Sequence, residues 1–241
     1  IKDIRKETSD CVSIAFDIPE NLKNNFHYTQ GQYINVKTMI YGEEVRRSYS
    51  LCSAPVENDF RIAIKKVSDG KFSKYANESL RICDSIEVTP PIGKFFSPLE
   101  INNKKNYIAF AAGSGITPVI SIIKTTLQVE PLSSFTLIFG NRHRHSIIFK
   151  EQLEALKNKY MSRLQLIHVL SKERTDSTIN NGRIDNNKLH ELNNLIPLVS
   201  FDEYFICGPE EMIFCVKSFL EEKQIEKKKI HFELFGNANQ K

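Results

Sequence analysis

Three short stretches carry residue types and spacings suited to chemistry. The run Arg46-Arg47-Ser48-Tyr49-Ser50-Leu51-Cys52-Ser53-Ala54-Pro55 sets two cations, an aromatic ring and several hydroxyls ahead of a turn-forming Ala-Pro, more polar function than a plain strand needs. The run from Tyr107 to Pro118 reads as an apolar strand, a turn holding Gly113, Ser114 and Gly115, and a helix start at Ile116 and Thr117. Thr117 is expected to cap that helix and Pro118 to take its first position, where a missing N–H costs nothing. A helix N-terminus approached closely through Gly113 and Gly115 presents N–H groups and a positive dipole end to an anion such as a pyrophosphate. Pro118 stands where the dinucleotide fingerprint has its third glycine, so the pattern is only partly met and an ordinary tight strand-to-helix turn fits it equally. The run from Tyr204 to Met212 repeats strand, turn and helix start through Cys207, Gly208 and Pro209. Ligands bind at the ends of parallel strands, which would set Cys207 beside whatever Gly113 to Thr117 hold; a cysteine on a buried strand is otherwise simply a small hydrophobe.

The elements that must position these residues fall into two halves. From Asp10 to about Thr89 apolar residues recur in short alternating runs (Val12, Ile14, Phe16; Tyr33, Ile34, Val36; Phe60, Ile62, Ile64; Ile82, Ile86, Val88), the pattern of a small antiparallel barrel or sandwich. One helix interrupts it, over Lys74 to Leu80, with Gly70 supplying a turn and Ser73 expected as N-cap. After the polar break at Asn102 to Asn106, apolar strands alternate with helix-length segments. Strands are expected at 107–112, 135–139, 164–169 and 204–207, helices near 118–128, 148–158, 188–195 and 210–222, and a closing strand over 229–235, which together describe an α/β domain with a parallel sheet. The expected division is 1–101 and 102–241.

The chain of 241 residues is long enough for two domains with separate cores. A net charge of +4, with lysine and arginine scattered among nearly as many acids, argues against nucleic acid as a partner and leaves small anions open. The five cysteines are far apart with no CxxC pair, so no metal site is expected and reduced thiols in a cytoplasmic setting are. No apolar run approaches the length of a membrane span and no charged region followed by an apolar core is present near Ile1, so neither a membrane span nor a signal peptide is expected. The chain opens on Ile1 rather than Met, which leaves room for residues beyond either end.

In this order and at these separations the three motifs resemble the ferredoxin-NADP reductase family, in which an FAD-binding antiparallel barrel carrying Arg-x-Tyr-Ser precedes a nucleotide-binding domain carrying Gly-x-Gly-Ile-Thr-Pro and Cys-Gly-Pro. The resemblance covers nearly the whole chain and implies FAD rather than FMN. It implies that Tyr49 stacks on the isoalloxazine, that the Ser50 hydroxyl lies near its N5, and that Arg47 pairs with the pyrophosphate. An aromatic face for a flat ring, a hydroxyl for a ring nitrogen and a forked cation for phosphate agree with those roles. The family's second flavin element is matched by Lys65 followed by Gly70-Lys71-Phe72-Ser73, with a solvated strand the plain alternative for Lys65. Cys83-Asp84 stands where the family has Gly-Asp, and Pro90 to Phe95 resembles its Gly-Pro-x-Gly-x-Phe segment. Asn141 and Arg142 resemble its Gly-Asn-Arg; Ser171 and Lys172 resemble a Ser-Arg pair that takes the 2′-phosphate of NADPH. Lysine for arginine keeps the charge and loses the fork, so NADPH is favoured and NADH stays open. Glu233 and Phe235 fall on the terminal segment, where the resemblance implies an aromatic covering the flavin and a glutamate lying with Cys207 beside the nicotinamide. The plain alternative is a closing edge strand.

The expected activity is hydride transfer from NAD(P)H to FAD, followed by release of single electrons to an iron–sulfur or haem partner. Within the family, the segments 140–153 and 230–236 resemble in particular the reductase subunits of phenylacetyl-CoA epoxidase systems, which carry a ferredoxin domain after these two. No Cys-x4-Cys-x2-Cys spacing is present, so the [2Fe–2S] carrier is expected either in a further C-terminal domain after a linker at 236–241 or in a separate protein, acting with an oxygenase component. A flavohaemoglobin-type reductase half and an electron-transfer subunit that does not use nicotinamide nucleotides are the alternatives.

Overall fold

The computed structural model describes residues 1–235; the linker expected at 236–241 lies outside them. In the first half, strands β1 (Asp3–Thr8), β2 (Cys11–Phe16), β3 (Tyr33–Ile40), β4 (Glu43–Ser50), β5 (Phe60–Lys65) and β6 (Glu87–Val88) are joined by helix α1 (Lys71–Glu78) between β5 and β6. They form two antiparallel three-stranded sheets, ordered β1-β2-β5 and β4-β3-β6. The sheets meet where the chain leaving β4 runs onto β5, through the bridge Leu51 to Ile62 and the bond from Cys52 N–H to the Arg61 carbonyl at 2.9 Å. Alternation then drives Ile14, Ile34, Val36, Leu51, Ile62 and Ile64 into one core, which Phe72 of α1 plugs. The β3–β4 hairpin turns on Tyr41 and Gly42, both with positive φ, the conformation that matches a tight two-residue turn to the strand twist.

The second half alternates β7 (Asn106–Ala112), α2 (Ile116–Val129), β8 (Ser134–Asn141), α3 (Lys150–Lys159), β9 (Leu164–Leu170), α4 (Asn186–Asn193), β10 (Glu203–Cys207), α5 (Glu210–Glu222) and β11 (Ile230–Glu233). The sheet is parallel throughout, in the order β11-β10-β7-β8-β9. Its inner strands β7, β8 and β10 are predominantly apolar because helices cover both faces. On β7, Tyr107, Ala109 and Ala111 join the core under α2 and α3, whereas Ile108 and Phe110 join the one under α4 and α5. The expected barrel and α/β sheet are thus both present. Among the described residues no helix is long and apolar enough to cross a membrane.

The core under α2 does not stop at the sheet. Cys11, Cys52, Ala63 and Phe95 of the barrel belong to the same buried cluster, and the Phe95 ring meets Phe205 edge-on at 5.6 Å. The buried Ser121 hydroxyl of α2 donates to the Ser53 carbonyl at 2.6 Å, and Lys124 pairs with Glu57 at 3.1 Å. An apolar junction of this kind holds the halves in one orientation instead of letting them hinge.

Several local expectations are corrected. Helix α1 starts at Lys71 with Gly70 as N-cap, so Ser73 lies inside the first turn; its hydroxyl accepts from Val67 N–H at 3.2 Å and donates to the Gly70 carbonyl at 3.1 Å, closing the 67–73 turn. Helix α2 is capped by Gly115, so Ile116 holds the first position, Pro118 the third, and the Thr117 hydroxyl donates to the Ser114 carbonyl at 3.0 Å. Pro118 is still tolerated there because N–H groups of the first turn have no intrahelical acceptor. The expected strand around Ile82 to Val88 shrinks to the two residues of β6, and β1 is an addition, its outward residues leaving little alternation to read.

Candidate functional site

Strand β4 sorts its residues by parity. Arg47 and Tyr49 point to one side, Ser48 and Ser50 to the other. Arg47 is half-buried and its Nη1 donates to the Arg46 carbonyl at 2.6 Å. The Tyr49 ring lies 5.5 Å from that of Phe72, so the start of α1 is packed against the side of β4 that also carries the core residue Val45, and burial pushes the Tyr49 phenol up. Lys71 pairs with Glu43 of the same strand, and Lys65 sits 3.6 Å from Asp10. Gly70 is required where it stands, since a Cβ would lie 2.3 Å from the Ser73 hydroxyl. Arg47, Tyr49, Gly70, Lys71, Phe72 and Ser73 are therefore neighbours on one wall; Lys65, at the end of β5, faces the β1–β2 turn.

Ser50 faces the other way, into the junction, and is buried. Its hydroxyl donates to Glu233 Oε2 at 3.0 Å, across 183 positions of sequence. Cys207 is Glu233's register partner in the β10–β11 pair and is fully buried. Burial pushes the Glu233 carboxyl from an ordinary 4.5 up to about 7, with the Ser50 bond only partly offsetting it. Burial, and then the Glu233 charge, push the Cys207 thiol up as well, so it is a neutral, small neighbour and not a thiolate nucleophile. Beside this cluster opens a cleft of about 330 Å³, with Tyr33, Gly93 and Phe95 on the barrel side and His231, Phe232 and Glu233 on the sheet side.

The strand ends of the sheet supply the rest. A Cβ on Gly115 would lie 2.1 Å from the Cys207 carbonyl oxygen, so the 113–115 turn and the Cys207-Gly208 turn abut backbone to backbone. Gly113, at φ +54°, has nothing within 4 Å of its missing Cβ, leaving open space over the start of α2. Pro209 caps α5. At the next strand ends, Ser171 N–H donates to the Asn141 carbonyl and Lys172 N–H to the Arg142 carbonyl, each at 2.9 Å. Arg142, Ser171 and Lys172 thus form one exposed group, while Asn141 is buried with its side-chain Nδ2 unpartnered. Phe235 lies two residues past β11 and is 41% exposed. Ser50, Cys207 and Glu233 are placed together by sequence only through the resemblance, and His231 escapes a sequence reading, although its spacing of two from Glu233 on an alternating strand was the available signal.

Two domain families match the chain: the oxidoreductase FAD-binding domain over residues 1–96 and the oxidoreductase NAD-binding domain over residues 110–218. The chain belongs to the ferredoxin-NADP reductase family. It is 42% identical over 234 residues to a component of the 1,2-phenylacetyl-CoA epoxidase of Escherichia coli, covering 97% of this chain and 66% of that protein. It is 32% identical over 236 residues to the ferredoxin reductase component of 3-ketosteroid-9-alpha-monooxygenase of Rhodococcus rhodochrous, covering 97% of this chain and 63% of that one. The chain thus spans about two thirds of the length of these curated relatives. The fold is that of a ferredoxin NADP+ reductase from Neisseria gonorrhoeae solved with bound FAD and NADP, at TM-score 0.76 and 19% identity over 95% of this chain and 94% of that one. As a member of this family the chain is a flavoprotein reductase with an FAD-binding and an NAD-binding domain.

Proposed function

We propose that this chain is the cytoplasmic reductase component of an oxygenase system, with its FAD-binding unit in residues 1–101 and its nucleotide-binding unit in 102–241. It would oxidise NADPH in preference to NADH and pass electrons to a [2Fe–2S] centre on a partner protein or a further domain. The observation that carries the reading is the Ser50–Glu233 hydrogen bond at 3.0 Å with Cys207 in register beside it, because it joins the outlet of the flavin wall to the ends of the nucleotide sheet. The relatives' names, an epoxidase component and a monooxygenase reductase component, support the oxygenase role and the phenylacetyl-CoA epoxidase type in particular.

The residues fit the two cofactors. Bound FAD would supply the step from a two-electron hydride to single electrons. Tyr49, braced by Phe72, offers the ring face; Arg47 and the first turn of α1 at Gly70 to Ser73 offer the phosphate contacts, with Lys65 at the rim. The open space at Gly113, the helix start at Ser114 to Thr117, and the unpartnered Asn141 amide suit a nucleotide laid across the strand ends. Arg142, Ser171 and Lys172 give a cationic, hydrogen-bonding corner for a 2′-phosphate, and Cys207, Gly208 and Pro209 leave a flat neutral floor for the nicotinamide. Phe235, exposed just past β11, would cover the flavin until a nicotinamide displaced it.

An anaerobic titration of the FAD-loaded protein with NADPH, and separately NADH, followed by the flavin absorption band, tests this reading. Bleaching by NADPH at lower concentration than by NADH is expected; retention of colour with both nucleotides would remove the reductase assignment in favour of a subunit that does not use nicotinamide. Joint replacement of Tyr49 and Ser50 by Ala is expected to lower flavin retention or slow its reduction, and unchanged flavin content with an unchanged reduction rate would displace the flavin wall from β4. Lys172→Ala is expected to weaken NADPH by about 1 kcal/mol, roughly fivefold, and NADH hardly at all, because the lost contact is an exposed charged one. Equal effects on both nucleotides would take Lys172 out of the 2′-phosphate corner.

A further inference from the structure

The ladder between β8 and β9 does not end with the strands. Past the last register pair, Asn141 with Leu170, Ser171 N–H still donates to the Asn141 carbonyl and Lys172 N–H to the Arg142 carbonyl, each at 2.9 Å. There the two chains part, and a side chain continues what the backbone cannot. Glu173 Oε2 accepts the Arg144 N–H at 2.7 Å, while its other oxygen, Oε1, lies 3.2 Å from Arg144 Nε. The N–H of His143 is taken by the Ser146 hydroxyl at 3.1 Å, which donates in turn to the His143 carbonyl at 2.8 Å. The 142–146 loop is therefore tied to the end of β9 through both backbone and side chain. Among the described residues, Arg144 and Glu173 have no ion-pair partner other than each other.

Glu173 stands three residues past the end of β9 and directly after Lys172. An acid at a strand end of a parallel sheet suits the ribose hydroxyls of an unphosphorylated dinucleotide, and its charge repels a phosphate placed there. Here both of its oxygens are engaged by Arg144. We propose that Arg144 is a positioning residue for nucleotide choice: by neutralising Glu173 and tying its carboxylate to the 142–146 loop, it leaves Arg142 and Lys172 as the uncompensated cations that receive a 2′-phosphate. This role rests on the corner assigned above to Arg142, Ser171 and Lys172. The Arg144 side chain is 62% exposed and that of Glu173 31%, so water screens the bond and little of the fold's stability depends on it. A phosphate dianion docked beside Lys172 is different, because it meets the net charge that the pair leaves behind.

Arg144→Ala removes the cation and one of the two bonds, so Glu173 keeps a single backbone donor and its charge stands uncompensated. In the FAD-loaded protein KM for NADPH is expected to rise about fivefold, with kcat, KM for NADH and flavin content unchanged, and the rise to shrink with added salt. Arg144→Lys, which keeps a cation beside Glu173, is expected to stay close to wild type. The deciding variant is the double one. Arg144→Ala combined with Glu173→Gln carries no free acid and should return KM for NADPH to near the wild-type value. Calorimetric titration of the oxidised protein with 2′-phospho-AMP, and separately with AMP, makes the same comparison without any hydride transfer. A loss that persists in the double variant would mean that Arg144 touches the phosphate itself or that the loop has collapsed, and would overturn the positioning role; equal losses for both nucleotides would do the same. Lys172→Ala separates this role from the reading beneath it. If Lys172→Ala weakens both ligands equally, the corner is misplaced and the role of Arg144 falls with it; a selective Lys172→Ala beside a silent Arg144→Ala leaves the corner standing and removes only the Arg144–Glu173 clamp.

Discussion

Gly115→Ala should slow reduction by either nucleotide by about 100-fold while flavin content stays at the wild-type level. The added Cβ would lie 2.1 Å from the Cys207 carbonyl oxygen, 2.4 Å from its carbon and 2.7 Å from the Gly208 nitrogen. All three are backbone atoms of a turn anchored at both ends, by β10 and by α5, so no side chain can swing away to make room. Either the 113–115 turn retreats or the Cys207-Gly208 turn does, at a cost of about 1–3 kcal/mol. In both cases the floor and the helix start that would receive the nucleotide move apart by a large fraction of an ångström. Gly113→Ala is the comparison: its Cβ meets nothing within 4 Å, and the only penalty is the positive φ, about 1 kcal/mol. Reduction rates by stopped flow, with flavin content from absorbance, check the pair. Similar rates for the two variants would show that the backbone contact at Gly115 does not set the site.

Glu233→Gln should stabilise the FAD-free protein by about 3 kcal/mol at about pH 8 and leave it nearly unchanged at about pH 4. A carboxyl raised from 4.5 to about 7 on folding binds its proton more tightly in the folded state than in the unfolded one. Stability is then fully present below the unfolded value and is lost as pH rises through the folded value, above which the half-buried carboxylate is ionised at a constant penalty. Glutamine mimics the protonated acid, keeps an acceptor for the Ser50 hydroxyl and carries no charge to desolvate. Urea unfolding at the two pH values measures the difference; an equal effect at both would mean that the carboxyl is ordinary and that burial does not govern it. The same substitution removes a titrating group from the junction, so a gain in stability is expected to accompany slower turnover, the familiar opposition between a relaxed fold and a strained site.

How far the sequence disclosed this arrangement depended on the range of the interaction. The β7–α2 and β10–α5 turns were legible at Gly113 and Cys207 because a strand, its turn and the next helix are contiguous, and predominantly apolar inner strands report a sheet covered on both faces. Helix starts were less legible. Thr117 and Ser73 are good caps by type, but glycines at 115 and 70 took the cap positions because close approach of backbone, or of the Ser73 hydroxyl itself, left no space for a Cβ. The pairing of Ser50 with Glu233 could not be read from pattern, since nothing local in either segment points to the other. The pairing of His231 with Glu203 is illegible for a similar reason, since the two lie on neighbouring strands far apart in sequence.

The buried cluster that runs from Cys52 and Phe95 into α2 and β10 also decides what can be exchanged between related reductases. A hybrid joining this barrel to a foreign nucleotide domain would inherit a seam cut for other side chains. Phe95 would need a ring where Phe205 stands, and Ser53 would need a hydroxyl in place of Ser121. The unit that can be transplanted is therefore the pair of domains with its seam, and the acceptor attached to it is the part free to vary.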